Sequence, residues 1–263
     1  MPFEKLAKMI LPREVIGGHG AIQEVADVFK KITSSNRGII VTGSKTLKLA
    51  GEKVGKILEE SGINTDFVIV GSATEENVQV VKEKTKAFGA KVILGIGGGT
   101  KIDIAKKSAY DLGLDFISIP TSASHDGVAS PRASISKNGI STSVEAAMPA
   151  AIIADTQIIV TAPFRFLASG AADVLSNLTA LKDWSLAHRL KAERISSSAY
   201  SISEFAAKEI INNAAQIKPG LEESVWLVIK QIVFSGTFWQ IALLKQSQTS
   251  NASITIFTLS TPY

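Results

Sequence analysis

With 263 residues, the chain is long enough for one large or two moderate domains with a sizeable core. Hydrophobic residues make up 45% and charged residues 20%, as in ordinary globular proteins, and the net charge of +4 is scattered, which argues against nucleic-acid binding. The absence of cysteine excludes disulfides, zinc ribbons, iron–sulfur clusters and thiol nucleophiles.

Strand and helix patterns alternate through the first half of the chain. Unbroken apolar runs predict strands at 37–42, at 66–70, from 92 into the glycines at 97–99, and at 115–119. An amphipathic helix pattern follows each of the first three strands. Strands of this kind, each followed by a helix, predict a parallel sheet covered on both faces, with ligands at the edge where the strands end.

The pattern changes after the fourth strand. Residues 133–143 predict a hairpin that turns at Asn138-Gly139, and 151–154 predict a further strand. Apolar residues then recur at helical spacing from about Ala162 to about Val233.

These elements predict an α/β fold with two domains and a tail. A Rossmann-like nucleotide-binding domain with a parallel sheet is expected over 1–158, and an all-helical domain over 159–236. The tail, 237–263, has one lysine, no acidic residue and no glycine, and we expect it not to continue the preceding helix.

One segment has the length of a membrane-spanning helix. Val225 to Leu244 is close to the roughly 20 apolar residues that a span requires. It contains a lysine and two glutamines and is interrupted by Ser235-Gly236, so we predict a buried helix of a bundle instead. The N-terminus lacks the pattern of a signal peptide, and a cytoplasmic protein without membrane insertion is expected.

The most informative local signal is the run of glycines at 97–99 between a strand and a helix. Glycines let a phosphate approach the backbone, and the unpaired N–H groups of the first helical turn point at it. Lys101 is expected to add a positive charge at the same place. The spacing is not the G-x-G-x-x-G of common dinucleotide sites, and a tight connection is the alternative, but we favour a phosphate site.

Two acidic residues lie in segments suited to a ligand. Asp126 belongs to the loop 120–131, whose hydroxyls suit ribose and phosphate oxygens, although this loop also fits a simple polar connection. Asp173 lies among small and apolar residues, where a carboxylate needs a helix to cap, a cation or a metal.

Histidine is scarce in this sequence. His19 lies among glycines and predicts a turn, and His125 in the polar loop is a candidate proton donor or ligand. His188 follows Asp173 by fifteen positions. On one helix that is about 22 Å, too far for the two residues to share a metal unless the helix breaks.

Four segments together carry a family resemblance. They closely resemble archaeal sn-glycerol-1-phosphate dehydrogenases, of the glycerol dehydrogenase and iron-containing alcohol dehydrogenase superfamily, and comprise residues 97–103, 120–131, 169–177 and 183–189. The resemblance covers about residues 1–236. The Ser-His-Asp-Gly sequence at 124–127 is its specific part, because related dehydrogenases have a different loop there.

The resemblance implies that NAD(P)H reduces dihydroxyacetone phosphate to sn-glycerol 1-phosphate, a precursor of archaeal membrane lipids, while zinc polarises the ketone. Asp126 would contact the substrate, and Asp173 would be a catalytic residue that binds both substrate and zinc. The implied cofactor contacts are Gly98, Gly99, Thr100, Lys101, Ile102, Asp103, Thr121, Ser122, Ala123, Ser124 and Ser130. No acidic residue stands directly at Gly43, after the first predicted strand, so NAD and NADP both remain open. A homo-oligomer is a possible state.

The sequence departs from this family at the zinc site. Members complete that site with two histidines from the C-terminal helical region, whereas this chain has no histidine after His188. We therefore predict an incomplete helical domain, weak zinc binding and slow turnover, and the abrupt change after Gly236 resembles a truncated or frameshifted end. The alternatives are a related polyol or glycerol dehydrogenase and a catalytically silent nucleotide-binding protein.

Overall fold

The strands of a computed structural model form one large sheet and one hairpin. The structure describes residues 10–243, with side chains described as far as residue 237. The strands are β1 (Glu14–Gly18), β2 (Arg37–Thr42), β3 (Asn64–Ile69), β4 (Val92–Gly97), β5 (Asp115–Pro120), β6 (Arg132–Lys137), β7 (Ile140–Glu145) and β8 (Ala151–Asp155). Six of them form a parallel sheet in the order β1-β8-β5-β4-β2-β3, and β6 pairs with β7 as an antiparallel hairpin.

Helices cover the sheet and then continue beyond it as a helical region. They are α1 (Val25–Ile32), α2 (Ser44–Thr46), α3 (Glu52–Glu60), α4 (Glu75–Phe88), α5 (Gly99–Leu112), α6 (Thr156–Ile159), α7 (Phe164–Lys191), α8 (Ser197–Asn212) and α9 (Glu222–Leu243). A π-helical turn, Leu47–Gly51, joins α2 to α3.

The core lies on both faces of the parallel sheet. Neighbouring side chains in a strand point to opposite faces, so Ile93 packs with the core beneath α4 and α5 while Leu94 packs with the core beneath α1 and α3. The first of these cores continues into α7, α8 and α9. Both faces of the sheet are therefore covered, which confirms the predicted α/β architecture with its helical C-terminal part.

The sequence patterns found most strands but missed the first one. The strands expected near 37–42, 66–70, 92–97, 115–119 and 151–154, and the hairpin at Asn138-Gly139, are all present. β1 was not predicted because it is only five residues long, ends in two glycines and finds its partner in β8, far along the chain.

The expected break before the tail was wrong. Helix α9 runs without interruption through Ser235-Gly236 to Leu243, so residues 237–243 continue it. A glycine inside a helix costs about 1 kcal/mol relative to alanine, which tertiary packing can outweigh. The remainder of the tail, 244–263, lies outside the described residues, and among the helices that are described none is long and apolar enough to cross a membrane.

Asp155 fastens the end of β8 to its surroundings. This carboxylate is buried and accepts hydrogen bonds from the N–H groups of Gly20, Ile22 and Gln157, at 3.3, 3.1 and 3.0 Å. It therefore joins the turn after β1 to the start of α6.

We expect Asp155→Ala to lower the free energy of unfolding by about 2–4 kcal/mol, because it leaves buried N–H donors without an acceptor. Urea titration monitored by circular dichroism measures the change. Asp155→Asn keeps one side-chain oxygen and should lose less. A loss below about 1 kcal/mol in the alanine variant would show that these hydrogen bonds do not hold the sheet edge.

Candidate active site

The strand order creates a crevice between the carboxyl ends of β2 and β4. From β2 the chain steps outward to β3, then crosses back to β4 and continues in the opposite direction through β5 to β8. At such a reversal the connections leave on opposite faces of the sheet, and ligands bind in the crevice between them. The predicted glycine turn at the end of β4 borders this crevice.

The glycine turn presents free backbone donors. Gly97 ends β4 with a φ of +154°, Gly98 is the N-cap of α5, and the helix begins at Gly99. The N–H groups of Lys101 and Ile102 donate to the carbonyl of Gly98, at 3.0 and 3.3 Å. Helix geometry leaves the preceding N–H groups without an intrahelical acceptor, which is the arrangement that receives a phosphate.

The imidazole of His125 lies directly against the glycine turn. A Cβ added to Gly99 would overlap the ring at Nε2. The Nδ1 atom accepts a hydrogen bond from the N–H of Gly127 at 2.9 Å, so a neutral ring carries its proton on Nε2. The loop therefore brings an N–H donor to the start of α5.

The hydroxyl-rich loop after β5 packs beside the same turn. Thr121 donates its N–H to the carbonyl of Gly97 at 3.0 Å, and the Oγ of Ser122 lies next to Gly98. Four implied cofactor contacts of this loop are buried: Thr121, Ser122, Ala123 and Ser130. The structure thus brings the two predicted phosphate-binding segments together.

A buried ammonium group holds this loop in place. The Nζ of Lys106 donates to the carbonyls of Gly127 and Ser130, at 2.5 and 3.3 Å, and forms an ion pair with Asp103 at 3.0 Å. Asp103 also accepts the N–H of Ser134 at 3.0 Å. The side chain of Asp103 therefore supports the loop. The sequence reasoning missed Lys106, whose only signal is its position one turn after Asp103 on α5.

Two of the remaining implied cofactor residues point away from the turn. The side chain of Ile102 is fully buried in the core. The sequence predicts that Lys101 places its charge at the glycine turn, but the ammonium group lies elsewhere. Its Nζ donates instead to the carbonyl of Gly71, beyond the end of β3, at 3.0 Å.

A carboxylate pair lies where this loop meets the helical region. The Oδ2 atom of Asp173, on α7, accepts the N–H of Asp126 at 2.8 Å. Burial raises the pKa of Asp126 to about 7, and the neighbouring charge of Asp173 adds to this rise while Lys106 opposes it. Burial also raises the pKa of Asp173, against the opposing effects of the Asp126 N–H group and His125.

The described residues do not form a complete catalytic zinc site. Between residues 10 and 237 no group of three or more histidine, aspartate or glutamate side chains is arranged to hold a metal. His188 lies on the same unbroken helix as Asp173, and its Nδ1 contacts the carbonyl of Glu193. Catalytic zinc normally has three protein ligands, whereas the pair provides two carboxylates.

Comparisons with known proteins place the chain among dehydrogenases. Residues 16–163 match the iron-containing alcohol dehydrogenase family. The chain is 51% identical over 242 residues to the glycerol-1-phosphate dehydrogenase [NAD(P)+] of Thermoplasma volcanium, and 49% identical to that of Picrophilus torridus. Both alignments cover 92% of this chain and 69% of the relative. The relative from Methanosarcina barkeri is 47% identical, and the alignment covers 89% of this chain and 66% of that relative. The chain therefore spans about two thirds of the length of these relatives.

Solved structures share the fold at low sequence identity. Glycerol dehydrogenase from Schizosaccharomyces pombe superposes with a TM-score of 0.76 at 22% identity, over 90% of this chain and 63% of that one. A probable glycerol dehydrogenase from Sinorhizobium meliloti gives 0.73 at 20% identity, over 89% and 67%. The likeness shows that the architecture is the α/β fold of these proteins.

The raised pKa of Asp126 predicts a pH-dependent stability in metal-free protein. A carboxyl with a raised folded-state pKa binds more protons folded than unfolded, so its stabilising contribution is largest below about pH 4 and is lost as pH rises towards 7. Between pH 5 and 7 we expect the free energy of unfolding to fall less for Asp126→Asn than for the parent. The slopes of this free energy against pH should differ by up to about 1.4 kcal/mol per pH unit. Urea titrations at each pH measure this, with Asp27→Asn on α1 as the exposed control. Parallel profiles for parent and Asp126→Asn would contradict the assignment.

Gly236 allows α9 to approach the loop of the site. A Cβ at this position would lie 2.6 Å from the carbonyl oxygen of Asp126 and 3.3 Å from the backbone nitrogen of Ser130. We expect Gly236→Ala to lower the free energy of unfolding by about 1–3 kcal/mol, the range for overpacking, and to speed amide exchange in the loop. Hydrogen exchange with mass spectrometry provides the second readout. Unchanged exchange at 121–130 would show that α9 does not support the loop.

Proposed function

This chain belongs to the iron-containing alcohol dehydrogenase family, and on that premise we propose that it binds NAD(P)H and reduces dihydroxyacetone phosphate to sn-glycerol 1-phosphate. The relatives named glycerol-1-phosphate dehydrogenase support this substrate. The product would serve as the glycerol backbone of archaeal membrane lipids. The observation that carries the proposal is the glycine turn at the crevice, with the Ser-His-Asp-Gly loop packed on it.

The coenzyme fits the crevice through the backbone. Gly98 and Gly99 have no side chains of their own, and the free N–H groups of the first turn of α5 suit the pyrophosphate. The Oγ of Ser122 and the Nε2–H of His125 lie beside the same turn as further donors. The reduced coenzyme supplies the hydride in this reaction.

The carboxylate pair suits the polar end of the substrate. Reduction of the ketone consumes one hydride at carbon and one proton at oxygen. A carboxyl group with a pKa of about 7 is partly protonated at neutral pH, so Asp126 can donate to or accept from a substrate oxygen. Asp173 fixes this position through the N–H of Asp126 and offers its other oxygen to a hydroxyl.

Zinc does not fit the described residues as a complete catalytic site. Asp173 and Asp126 are the ligands at hand, and one oxygen of Asp173 already accepts a backbone hydrogen bond. The proposal therefore includes weak zinc binding and slow turnover for this 263-residue chain. Stoichiometric zinc in the purified chain, together with the turnover of an ordinary dehydrogenase, would contradict that part.

Gly98→Ala tests the coenzyme site with little risk to the fold. An added Cβ has ordinary contact inside the protein, since its nearest neighbour is the Oγ of Ser122 at 3.4 Å, but it occupies the phosphate cradle. We expect the affinity for NADPH and NADH to fall about tenfold or more, which corresponds to about 1.4 kcal/mol. Nicotinamide fluorescence measures binding, and urea titration checks that stability is unchanged.

Oxidation of NADPH at 340 nm with dihydroxyacetone phosphate tests the reaction itself. Slow, substrate-dependent oxidation by the parent chain, weakened in Gly98→Ala, is the expected result. Activity with glycerol and NADP+ but not with dihydroxyacetone phosphate would point to a polyol dehydrogenase. Coenzyme binding with no turnover in added zinc would contradict the reductase and leave a nucleotide-binding protein.

A further inference from the structure

The side chain of Lys101 crosses the floor of the crevice. It begins in the first turn of α5, passes over the end of β4 and then of β2, and places its Nζ 3.0 Å from the carbonyl oxygen of Gly71, beyond β3. The ammonium group therefore lies outward from the glycine turn, between the ends of β2 and β3. Its charge is aimed at a different part of a ligand from the one that the turn receives.

Two glycines make room for this path. A Cβ at Gly43 would lie 2.6 Å from the Cε of Lys101, and a Cβ at Gly97 would lie 2.9 Å from its Cβ. Thr46 fixes the backbone of Gly43 beside this path, because its Oγ1 accepts the N–H of Gly43 at 2.9 Å and donates to the carbonyl of Gly43 at 3.2 Å. The ends of β2 and β4 are thus built around the lysine stem.

The ammonium group has spare donors and no anionic partner in the described part of the chain. It can donate three hydrogen bonds, and the carbonyl of Gly71 is its one acceptor among residues 10–237. Burial lowers its pKa, and no described carboxylate offsets that effect. A partly buried cation with unused donors is a place for an anion from outside the chain.

The position of this cation identifies the anion. With its pyrophosphate on the glycine turn after β4, a dinucleotide directs its adenosine ribose towards the neighbouring strand end. On the side of Lys101 that neighbour is β2, and the residues that follow it, Gly43-Ser44-Lys45, include no carboxylate. An acidic residue there would bind a free ribose 2′-hydroxyl and repel a phosphate, whereas a cation favours the phosphate.

We infer that Lys101 binds the 2′-phosphate of NADP(H) and determines the coenzyme preference of this chain. The inference rests on the proposed function and adds a role that differs from the pyrophosphate contact first expected of this residue. The glycine turn then serves both coenzymes alike, while Lys101 distinguishes between them.

Lys101→Met tests this role through two dissociation constants measured on the same protein. We expect the affinity for NADPH to fall about tenfold, as for the loss of one charge-assisted hydrogen bond, and that for NADH to change less than about threefold. Lys101→Arg keeps the charge and should keep most of the preference. Lys91→Met removes an exposed lysine before β4, at the opposite edge of the sheet, and should change neither constant.

The outcomes separate the inference from the proposed function. If the parent binds both coenzymes and Lys101→Met weakens both equally, or neither, the inference is wrong and the coenzyme site stands. An equal loss that Lys101→Arg does not restore, with a lower unfolding temperature, assigns Lys101 a structural role and also overturns the inference. If the parent chain binds neither NADPH nor NADH, the proposed function fails and the inference fails with it.

Discussion

The buried ammonium group of Lys106 is the interaction on which the site depends. A charge in the core is tolerated only when its donors are used, and here Asp103 and the carbonyls of Gly127 and Ser130 use them. The two carbonyls belong to the loop that carries His125. Because Lys106 lies on α5, the helix that begins at the glycine turn, α5 positions both the turn and the loop that packs on it.

This loop also connects the two halves of the described chain. Its N–H group at Asp126 binds the carboxylate of Asp173 on α7, and its backbone lies against Gly236 on α9. The sheet therefore contributes the glycine turn, and the helical region contributes the second carboxylate and the α9 backbone behind the loop. A shift of either helix is transmitted to the loop through direct contacts, which is why α9 matters to a site formed mainly by β4, α5 and β5.

The sequence was sufficient for features that depend on neighbouring residues, and insufficient for those that depend on distant ones. Apolar runs identified the buried strands, and consecutive glycines before a helix identified the turn, since both signals lie within a few residues. The strand β1 was not predicted because its partner, β8, is far away in the sequence. The direction of the Lys101 side chain could not be predicted either, because it depends on the missing side chain of Gly43, which follows a different strand, β2. The role of Lys106 shows the same limit, since an aspartate one turn earlier does not by itself mark a lysine as buried.

Locality also distinguishes the glycine turn from the carboxylate pair. The glycine turn consists of backbone groups from one strand–helix junction, and the adjoining hydroxyls come from the next strand end, so nearby stretches of sequence form it. A metal site needs side chains that distant segments bring together in space, and here the loop after β5 and α7 bring together the two carboxylates Asp126 and Asp173. The glycine turn is therefore complete within one short stretch of sequence, whereas the carboxylate pair depends on the packing of α7 against the loop.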